Sequence, residues 1–225
     1  MKHPIRVLIF LLAGLLGPRP AGADLTCTLF GRCLYEGAPF RFTVVDAETQ
    51  KPLADVHALA EWVLEGPHGR NGPLMVLDAV SGPDGLIAFP AWGPVSGPRS
   101  GLAMNVDPGV SLFKTGYKVL SLQNIPPEGT TPTTRMRRFG REGQTIALEP
   151  FRGAPDDLLK ELEKANAGFT GRSFEEQVLR FRQPYLNRTR RVFAQRDKFP
   201  QHRRDFQNYF RAVEDNIQYL EGNRP

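Results

Sequence analysis

The sequence is poor in the residues that build metal and redox centres. Cysteine occurs twice and histidine four times among 225 residues. There is no His-x-x-Glu pair, no glycine-rich phosphate loop and no Gly-x-Ser-x-Gly nucleophile elbow, since Ser96 and Ser100 lack the leading glycine. His57, His68 and His202 have no partners at ligand spacing, and chance occurrence explains them better than a metal site. We therefore expect no metal and no cofactor.

Long apolar runs are missing beyond the N terminus. Residues 1–23 combine a basic start, an apolar run from Val7 to Leu16 and a small-residue motif ending at Ala23, which is typical of a secretory signal peptide. A membrane anchor is the alternative, but a spanning helix needs about 20 apolar residues. A lipoprotein fits less well, because the residues before Cys27 are a poor lipidation motif. We expect cleavage near Ala23, a periplasmic or secreted protein, and no transmembrane span in the mature chain.

The chain also lacks a strong excess of one charge. Its formal charge of +5 falls to +2 without the signal peptide, because residues 1–23 carry three basic and no acidic side chains. A charge so close to zero gives no electrostatic case for nucleic acid or anionic membrane as a partner. Arginine and aromatic residues do mix between Arg180 and Phe210, as in stacking surfaces for nucleic acid. Amphipathic helices with a solvated basic face explain them better, and we expect no nucleic-acid partner.

The two cysteines, Cys27 and Cys33, follow the expected cleavage point. In an oxidising compartment an even pair predicts a disulfide. Closing so short a loop would stabilise the fold by on the order of 2 kcal/mol. A metal site would need further ligands nearby, and a redox dithiol would usually show Cys-x-x-Cys spacing, so the structural disulfide is preferred.

Residues 38–150 show the pattern of an antiparallel β-sandwich. Apolar and polar side chains alternate from Phe40 to Asp46, so that Phe40, Phe42 and Val44 share one face. Turns rich in glycine and proline separate the short strands that follow. Further strands are predicted at 56–63, 74–80, 86–89, 102–106, 110–113, 117–122 and 145–148.

Three segments are predicted to be loops: 66–73, 90–101 and 125–143. The third carries a basic cluster, Arg135, Arg137 and Arg138, that we expect to be exposed. Rigid sandwiches present binding residues on their loops, so these segments are the first surfaces to test for a partner.

Residues 151–225 change to a helical period and predict two or three α-helices. Pro155 suits a first helical position. A capping box at 173–176 begins a second helix, which Pro184 should kink or split. A final helix begins near Pro200 and carries an amphipathic apolar stripe. That stripe is a possible partner contact and comprises Phe206, Phe210, Val213, Ile217 and Leu220.

Turn and strand residues in the first part of the chain resemble the carboxypeptidase regulatory-like domain. They are Val44-Val45-Asp46, Thr49, Lys51–Val56, Pro83–Leu86 and Lys114–Tyr117. The resemblance covers residues 38–150 and implies a transthyretin-like, prealbumin-type sandwich. Such domains are accessory modules beside catalytic, adhesive or transport domains, and they bring no catalytic residues to carry over. The resulting fold class is α+β: an antiparallel immunoglobulin/transthyretin-like β-sandwich followed by a helical segment.

The expected organisation is a signal peptide (1–23), an N-terminal segment with the cysteine pair (24–37), the sandwich (38–150) and the helical region (151–225). We expect a non-enzymatic binding or scaffold protein of the cell envelope, with a protein or envelope polymer as partner. The alternative is a metal-dependent or hydrolytic enzyme, because intradiol dioxygenases share a similar sandwich and bind iron through tyrosine and histidine. Convergence of His57 and His68 with a tyrosine or aspartate would favour that alternative. Asn187-Arg188-Thr189 also fits a glycosylation acceptor, which matters only in a host that glycosylates.

Overall fold

The computed structural model describes residues 32–66, 69–98, 107–125, 128, 136–166, 179–200 and 202–222. Within these ranges the chain forms strands first and helices last, in an α+β arrangement. The strands are β1 (Arg32–Gly37), β2 (Phe40–Asp46), β3 (His57–Gly66), β4 (Gly69–Val80), β5 (Leu86–Phe89), β6 (Trp92–Pro98), β7 (Gly109–Phe113), β8 (Leu120–Leu122), β9 (Met136–Arg137) and β10 (Thr145–Leu148). The helices are α1 (Pro155–Asn166), α2 (Arg182–Phe193) and α3 (Arg204–Glu221), with a short 3-10 helix, Arg196–Lys198, between the last two.

The strands form three sheets with the orders β6-β1-β9, β10-β2-β5 and β4-β3-β7-β8. The four-stranded sheet is antiparallel throughout. The two three-stranded sheets are mixed, because β10 pairs with β2 and β9 pairs with β1 in parallel. The predicted antiparallel pairing is therefore confirmed in the four-stranded sheet and contradicted where β9 and β10 join the other two. Both parallel partners arrive late in the chain, after long connections, so no hairpin forces them to run antiparallel.

One buried core joins all three sheets. The alternation predicted for β2 is confirmed, since Phe40, Phe42 and Val44 are buried while Arg41 is exposed. These side chains share a cluster with the inner face of β3, where the Phe40 and Trp62 ring centroids lie 6.1 Å apart. Burial of each large aromatic side chain contributes about 1.5–3 kcal/mol, so this cluster stabilises the contact between the sheets.

The predicted strand positions are confirmed in part. Strands β2, β5 and β10 have the expected bounds, and β7 begins one residue early. The expected strand at 117–122 shortens to β8, preceded by an isolated bridge between Tyr117 and Pro150. The expected strand at 102–106 lies outside the described residues.

Two predicted loops are partly strand. Pairing of β3 with β4 continues to Gly66 and Gly69, so Gly66 and residues 69–73 are strand rather than loop. Segment 90–101 contains β6, whose prolines are tolerated because β6 is an edge strand and needs donors on one side only. Gly93 has a φ of +99°, and a side chain there would meet the Tyr35 carbonyl at 2.6 Å, so glycine permits the close pairing of β6 with β1.

The third predicted loop, 125–143, also contains structure. Met136–Arg137 pairs with β1, and Arg137 and Phe139 are buried rather than exposed. Arg138 is exposed as expected, and Arg135 lies outside the described residues.

Helices α1, α2 and α3, hereafter the helical tail, pack on the outer face of the four-stranded sheet. Strand β3 is therefore buried on both faces: Ala58 and Ala60 point into the core of the sheets, and Leu59 packs against helical residues. Helix α1 begins at Pro155 as predicted. Pro184 lies in the first turn of α2, where no intrahelical donor is required, and the chain leaves helical geometry at Phe181 just before it. The predicted capping box at 173–176 lies outside the described residues.

Candidate functional site

A group of polar side chains lies between the helical tail and the four-stranded sheet. His57 and Arg188 are buried, and Asp78, Ser111 and Asn187 are half-buried. The five residues are called here the Arg188 cluster. Residues 57 and 59 share one face of β3, while Asp78 and Ser111 lie opposite Leu59 on β4 and β7. Cross-strand and diagonal neighbours on one face are within side-chain reach. The sheet therefore brings His57, Asp78 and Ser111 together beneath α2.

Arg188 of α2 is the central donor of the cluster. Its side chain is fully buried and donates from Nε to His57 Nδ1 at 2.9 Å. Its Nη2 donates to the carbonyl oxygens of Ser111 and His57 at 2.8 and 3.1 Å. Its Nη1 donates to Ser111 Oγ at 3.2 Å and, more weakly, to the Ala165 carbonyl at 3.4 Å. All five guanidinium N–H groups have an acceptor in reach, so one side chain joins two strands to the last turn of α1 and to α2.

These hydrogen bonds fix the tautomer of His57. Since Arg188 donates to Nδ1, that nitrogen must carry a lone pair, and the ring proton lies on Nε2. Nε2 lies 3.1 Å from Asp78 Oδ2 and donates to it. The same carboxylate oxygen accepts a hydrogen bond from Asn187 Nδ2 at 2.8 Å. The result is a chain from a buried cation through a neutral imidazole to a carboxylate.

Burial controls the protonation of this chain. Desolvation lowers the pKa of His57 below its ordinary value of 6.5, with Arg188 acting in the same direction and Asp78 against it. Desolvation also lowers the pKa of Arg188 to about 9, so the guanidinium remains charged at neutral pH. Burial alone would raise the pKa of Asp78, but hydrogen bonds from His57 and Asn187 outweigh it and lower that pKa. The ground state therefore has a neutral histidine between two opposite charges.

The Asp78–His57 pair resembles the acid–base half of a hydrolytic triad, but it is closed: both ring nitrogens of the histidine already have hydrogen-bond partners. The ring nitrogen that would accept a proton from a nucleophile is occupied by the Arg188 guanidinium. His57 is also fully buried, so neither nitrogen faces a substrate in this conformation. The arrangement holds helices on a sheet and offers no activated nucleophile.

The ring nitrogens of His57 are not available to a metal ion in this structure. They are taken by Asp78 and Arg188, and His68 lies outside the described residues. Within the part of the chain that the structure describes, no three His, Cys, Asp or Glu side chains are grouped to hold a metal ion.

The predicted partner stripe on the last helix is covered by the protein itself. Phe206, Phe210 and Val213 pack in a cluster with α1, α2 and Phe113 of β7. Leu220 packs with Leu59 and Val76 of the sheet, and Ile217 lies half-buried beside them. The side chains predicted to contact a partner therefore form the internal core of the helical tail. The structure places this stripe inside the protein, and contact with a partner stays a prediction.

An open groove borders part of that core. Aromatic side chains line it together with the charged residues Arg196, Arg211 and Glu214. Phe206 and Phe210 contribute little to its exposed surface, because they are 2% and 8% accessible. The lining aromatic residues are Phe193, Phe199, Phe206 and Phe210.

The side chains of the predicted glycosylation motif, Asn187-Arg188-Thr189, are engaged within the protein. Asn187 lies within α2 and donates its amide to Asp78, and Thr189 is fully buried with its hydroxyl bonded to the Tyr185 carbonyl. A glycosyl group on Asn187 would require this helix to leave the sheet. Of the two cysteines predicted to form a disulfide, Cys33 is buried in β1, and Cys27 lies outside the described residues. The disulfide stays a prediction.

A second buried charge pair joins β9 to the segment just before β7. Asp107 and Arg137 are nearly inaccessible, with Arg137 Nε 3.7 Å from Asp107 Oδ1 and its guanidinium 5.4 Å from the Tyr35 ring centre. Among the described residues, none donates a hydrogen bond to either carboxylate oxygen of Asp107. Desolvation raises the pKa of Asp107 to about 6, although Arg137 lowers it. Sequence reasoning missed this pair, since both residues were assigned to irregular segments.

We expect the carboxyl group of Asp107 to titrate near pH 6 in a carbon-detected NMR titration. The folded pKa lies above the ordinary value of 3.8, so the folded state binds this proton more tightly than the unfolded state. Its contribution to stability is fully present below pH 3.8 and is lost as the pH rises through about 6. The loss should be about 3 kcal/mol relative to Asp107→Asn across that window. A midpoint near pH 4 would contradict the prediction.

Comparisons with known proteins leave the family open. No family model matches the chain, and no curated protein matches it. Among solved structures it is similar to 3-chlorocatechol 1,2-dioxygenase from Rhodococcus opacus 1CP, with 17% identity, a TM-score of 0.32, and coverage of 59% of this chain and 63% of that one. It is also similar to the pilus 2b backbone protein of group B streptococcus, with 14% identity, a TM-score of 0.24, and coverage of 59% and 53%. The chain spans less than two thirds of either protein, and at these TM-scores neither likeness carries an argument.

Proposed function

We propose that this chain is an exported, non-enzymatic binding or scaffold protein of the cell envelope, built on a β-sandwich of the carboxypeptidase regulatory-like type. The shared core of the three sheets supports the sandwich, and the turn residues that resemble that family support its type. The observation that carries the non-enzymatic part is the closed Asp78–His57 pair. The second ring nitrogen of His57, Nδ1, accepts a hydrogen bond from Arg188. Among the described residues, this pair comes nearest to an acid–base pair, and here it holds the helical tail.

The tail and the sheets then act as one rigid unit in this proposal. Besides the Arg188 cluster, Tyr185 donates its hydroxyl to Glu61 at 2.6 Å, and Gln195 donates to Thr115 at 2.8 Å. A rigid unit presents its turns and rims at fixed positions, which suits a scaffold. None of the described helices has the length and apolarity to cross a membrane.

Export and partner binding are tested in the native host. Mass spectrometry of the envelope fraction should find a mature chain beginning at Asp24, with Cys27 and Cys33 resistant to alkylation before reduction. A photo-crosslinking amino acid at the exposed turn residue Pro83 should give a discrete adduct with an envelope component, whereas one at the buried Val213 should not. An uncleaved chain in the cytosol would refute export.

The competing enzyme hypothesis is tested separately. Elemental analysis of the protein purified from its host should show no stoichiometric transition metal. One equivalent of bound iron or zinc would overturn the non-enzymatic proposal and favour the metal-dependent alternative, whatever the result of the crosslinking.

A further inference from the structure

The helical tail is held on the sheet by a cation whose hydrogen bond requires an unprotonated histidine. We propose that protonation of His57 releases α2 from the four-stranded sheet, so that the packing of the helical tail is controlled by pH. This inference does not depend on export or on any partner. It follows from the direction of two hydrogen bonds and from the burial of the groups that make them.

His57 can take up an added proton at one ring nitrogen only. Its Nε2–H is already donated to Asp78, so an added proton can bind only at Nδ1. Nδ1 lies 2.9 Å from Arg188 Nε, which is itself a donor. Two N–H groups would then face each other at hydrogen-bonding distance with no acceptor between them. The histidine and the arginine would also both be positively charged in a buried site.

The charged groups around His57 act in opposite directions on its protonation. Asp78 on β4 favours the protonated form, while Arg188 and Arg191 on α2 oppose it. Glu61 on β3 accepts the Tyr185 hydroxyl, and Arg191 is paired with Asp55 at 2.8 Å. Strand β7 offers the uncharged Ser111 and Phe113, and α1 offers the Ala165 carbonyl. Among the described groups, Asp78 is the carboxylate in contact with the imidazole, so burial and two arginines act against a single favourable charge.

The sign of the effect follows from these groups. The folded pKa of His57 lies below 6.5, so the unfolded or detached histidine binds the proton more tightly. The stabilisation is fully present above pH 6.5 and is lost as the pH falls through the folded pKa. One linked proton changes the opening equilibrium by at most about tenfold per pH unit.

The release should be local. Within the described ranges, the aromatic core of the sheets includes no residue of the helical tail, so it can stay intact when α2 moves. The apolar residues that α2 and α3 cover on the sheet, Leu59 and Val76, would then become accessible. Acidification would therefore expose a new apolar face on an otherwise folded protein.

The experiment is hydrogen exchange of the whole mature chain from pH 8 to 4.5, corrected for intrinsic exchange, with the His57 ring followed by NMR. Protection of α2 amides should fall by up to tenfold per pH unit below 6.5, while amides of β2 and β5 keep their protection. Asp78→Asn removes the favourable charge and lowers the folded pKa of His57 further, so its loss of protection should begin at the same pH, near 6.5, but continue to lower pH and reach a larger total. His202→Gln changes an exposed histidine and should leave the profile unchanged.

His57→Gln removes the titrating group and should give α2 protection that no longer changes with pH in this range. If that variant does not fold, the comparison of Asp78→Asn with the unmodified chain decides the question. Unchanged protection of α2 between pH 7.5 and 4.5 would overturn the proposal. So would identical profiles for the Asp78→Asn variant and the unmodified chain, because another group would then be responsible.

Discussion

Replacing Arg188 with alanine is expected to detach the helical tail from the four-stranded sheet and to lower the free energy of unfolding by about 3 kcal/mol. The substitution leaves buried acceptors on His57, Ser111 and Ala165 without their donor. Removing a buried charge offsets part of this cost, because an isolated guanidinium is expensive to desolvate. Urea unfolding followed by circular dichroism measures the loss, and hydrogen exchange of α2 locates it.

Two variants separate geometry from charge at this position. Arg188→Lys keeps the positive charge but cannot reach five acceptors with one ammonium group, so it should lose most of the same stability. Arg190→Ala removes the neighbouring exposed arginine, which pairs with Glu221, and should cost less than about 1 kcal/mol. A lysine variant as stable as the original chain would show that charge alone holds the tail.

Trp62→Ala is expected to lower the free energy of unfolding by about 3–5 kcal/mol, since it removes the largest fully buried side chain of the core. The ring of Trp62 packs edge-on against Trp92 with centroids 5.3 Å apart and also contacts Phe40. Unlike the arginine variants, this change should destabilise all three sheets together. Differential scanning calorimetry would detect it as a lower unfolding temperature for the whole transition.

Trp62→Phe is the matched control for that variant. The indole N–H of Trp62 is buried and has no hydrogen-bond partner among the described residues, so replacing Trp62 with phenylalanine removes no hydrogen bond that the structure shows. The remaining cost is the smaller volume, about 1–2 kcal/mol. A phenylalanine variant as unstable as the alanine variant would mean that the indole nitrogen, not the volume, matters at this position.

The sequence predicted those parts of the fold whose signals are local. The alternation in β2, the turn before β5 and the apolar stripe of α3 each lie within one short segment. Strand β6 was missed because its prolines and glycines suggest a loop, and only its position at a sheet edge makes them acceptable. The sequence could not choose between an internal contact and a partner contact for the α3 stripe, because an amphipathic pattern shows that a face is buried, not what buries it.

The Arg188 cluster could not be found by spacing. His57 lies 21 residues from Asp78 and 131 from Arg188, so no short motif connects them. Two indirect signals were present in the sequence. Leu59 lies on the face of β3 opposite Ala58 and Ala60, which is typical of a strand covered on both sides. Arg188 also lies three residues after Tyr185 and four before Val192, so helical spacing places it on an apolar face, where an arginine needs buried acceptors.

Glu161 of α1 shows a further consequence of how the tail is attached. Its carboxylate accepts the backbone N–H of Val119 at 2.8 Å, just before the edge strand β8. An unpaired amide at a sheet edge invites another chain to add a strand, which leads to aggregation. In this protein the carboxylate of Glu161 accepts the hydrogen bond that another chain could otherwise supply. Chains cut before Pro155 should therefore self-associate through this edge, so the tail also protects the protein against aggregation.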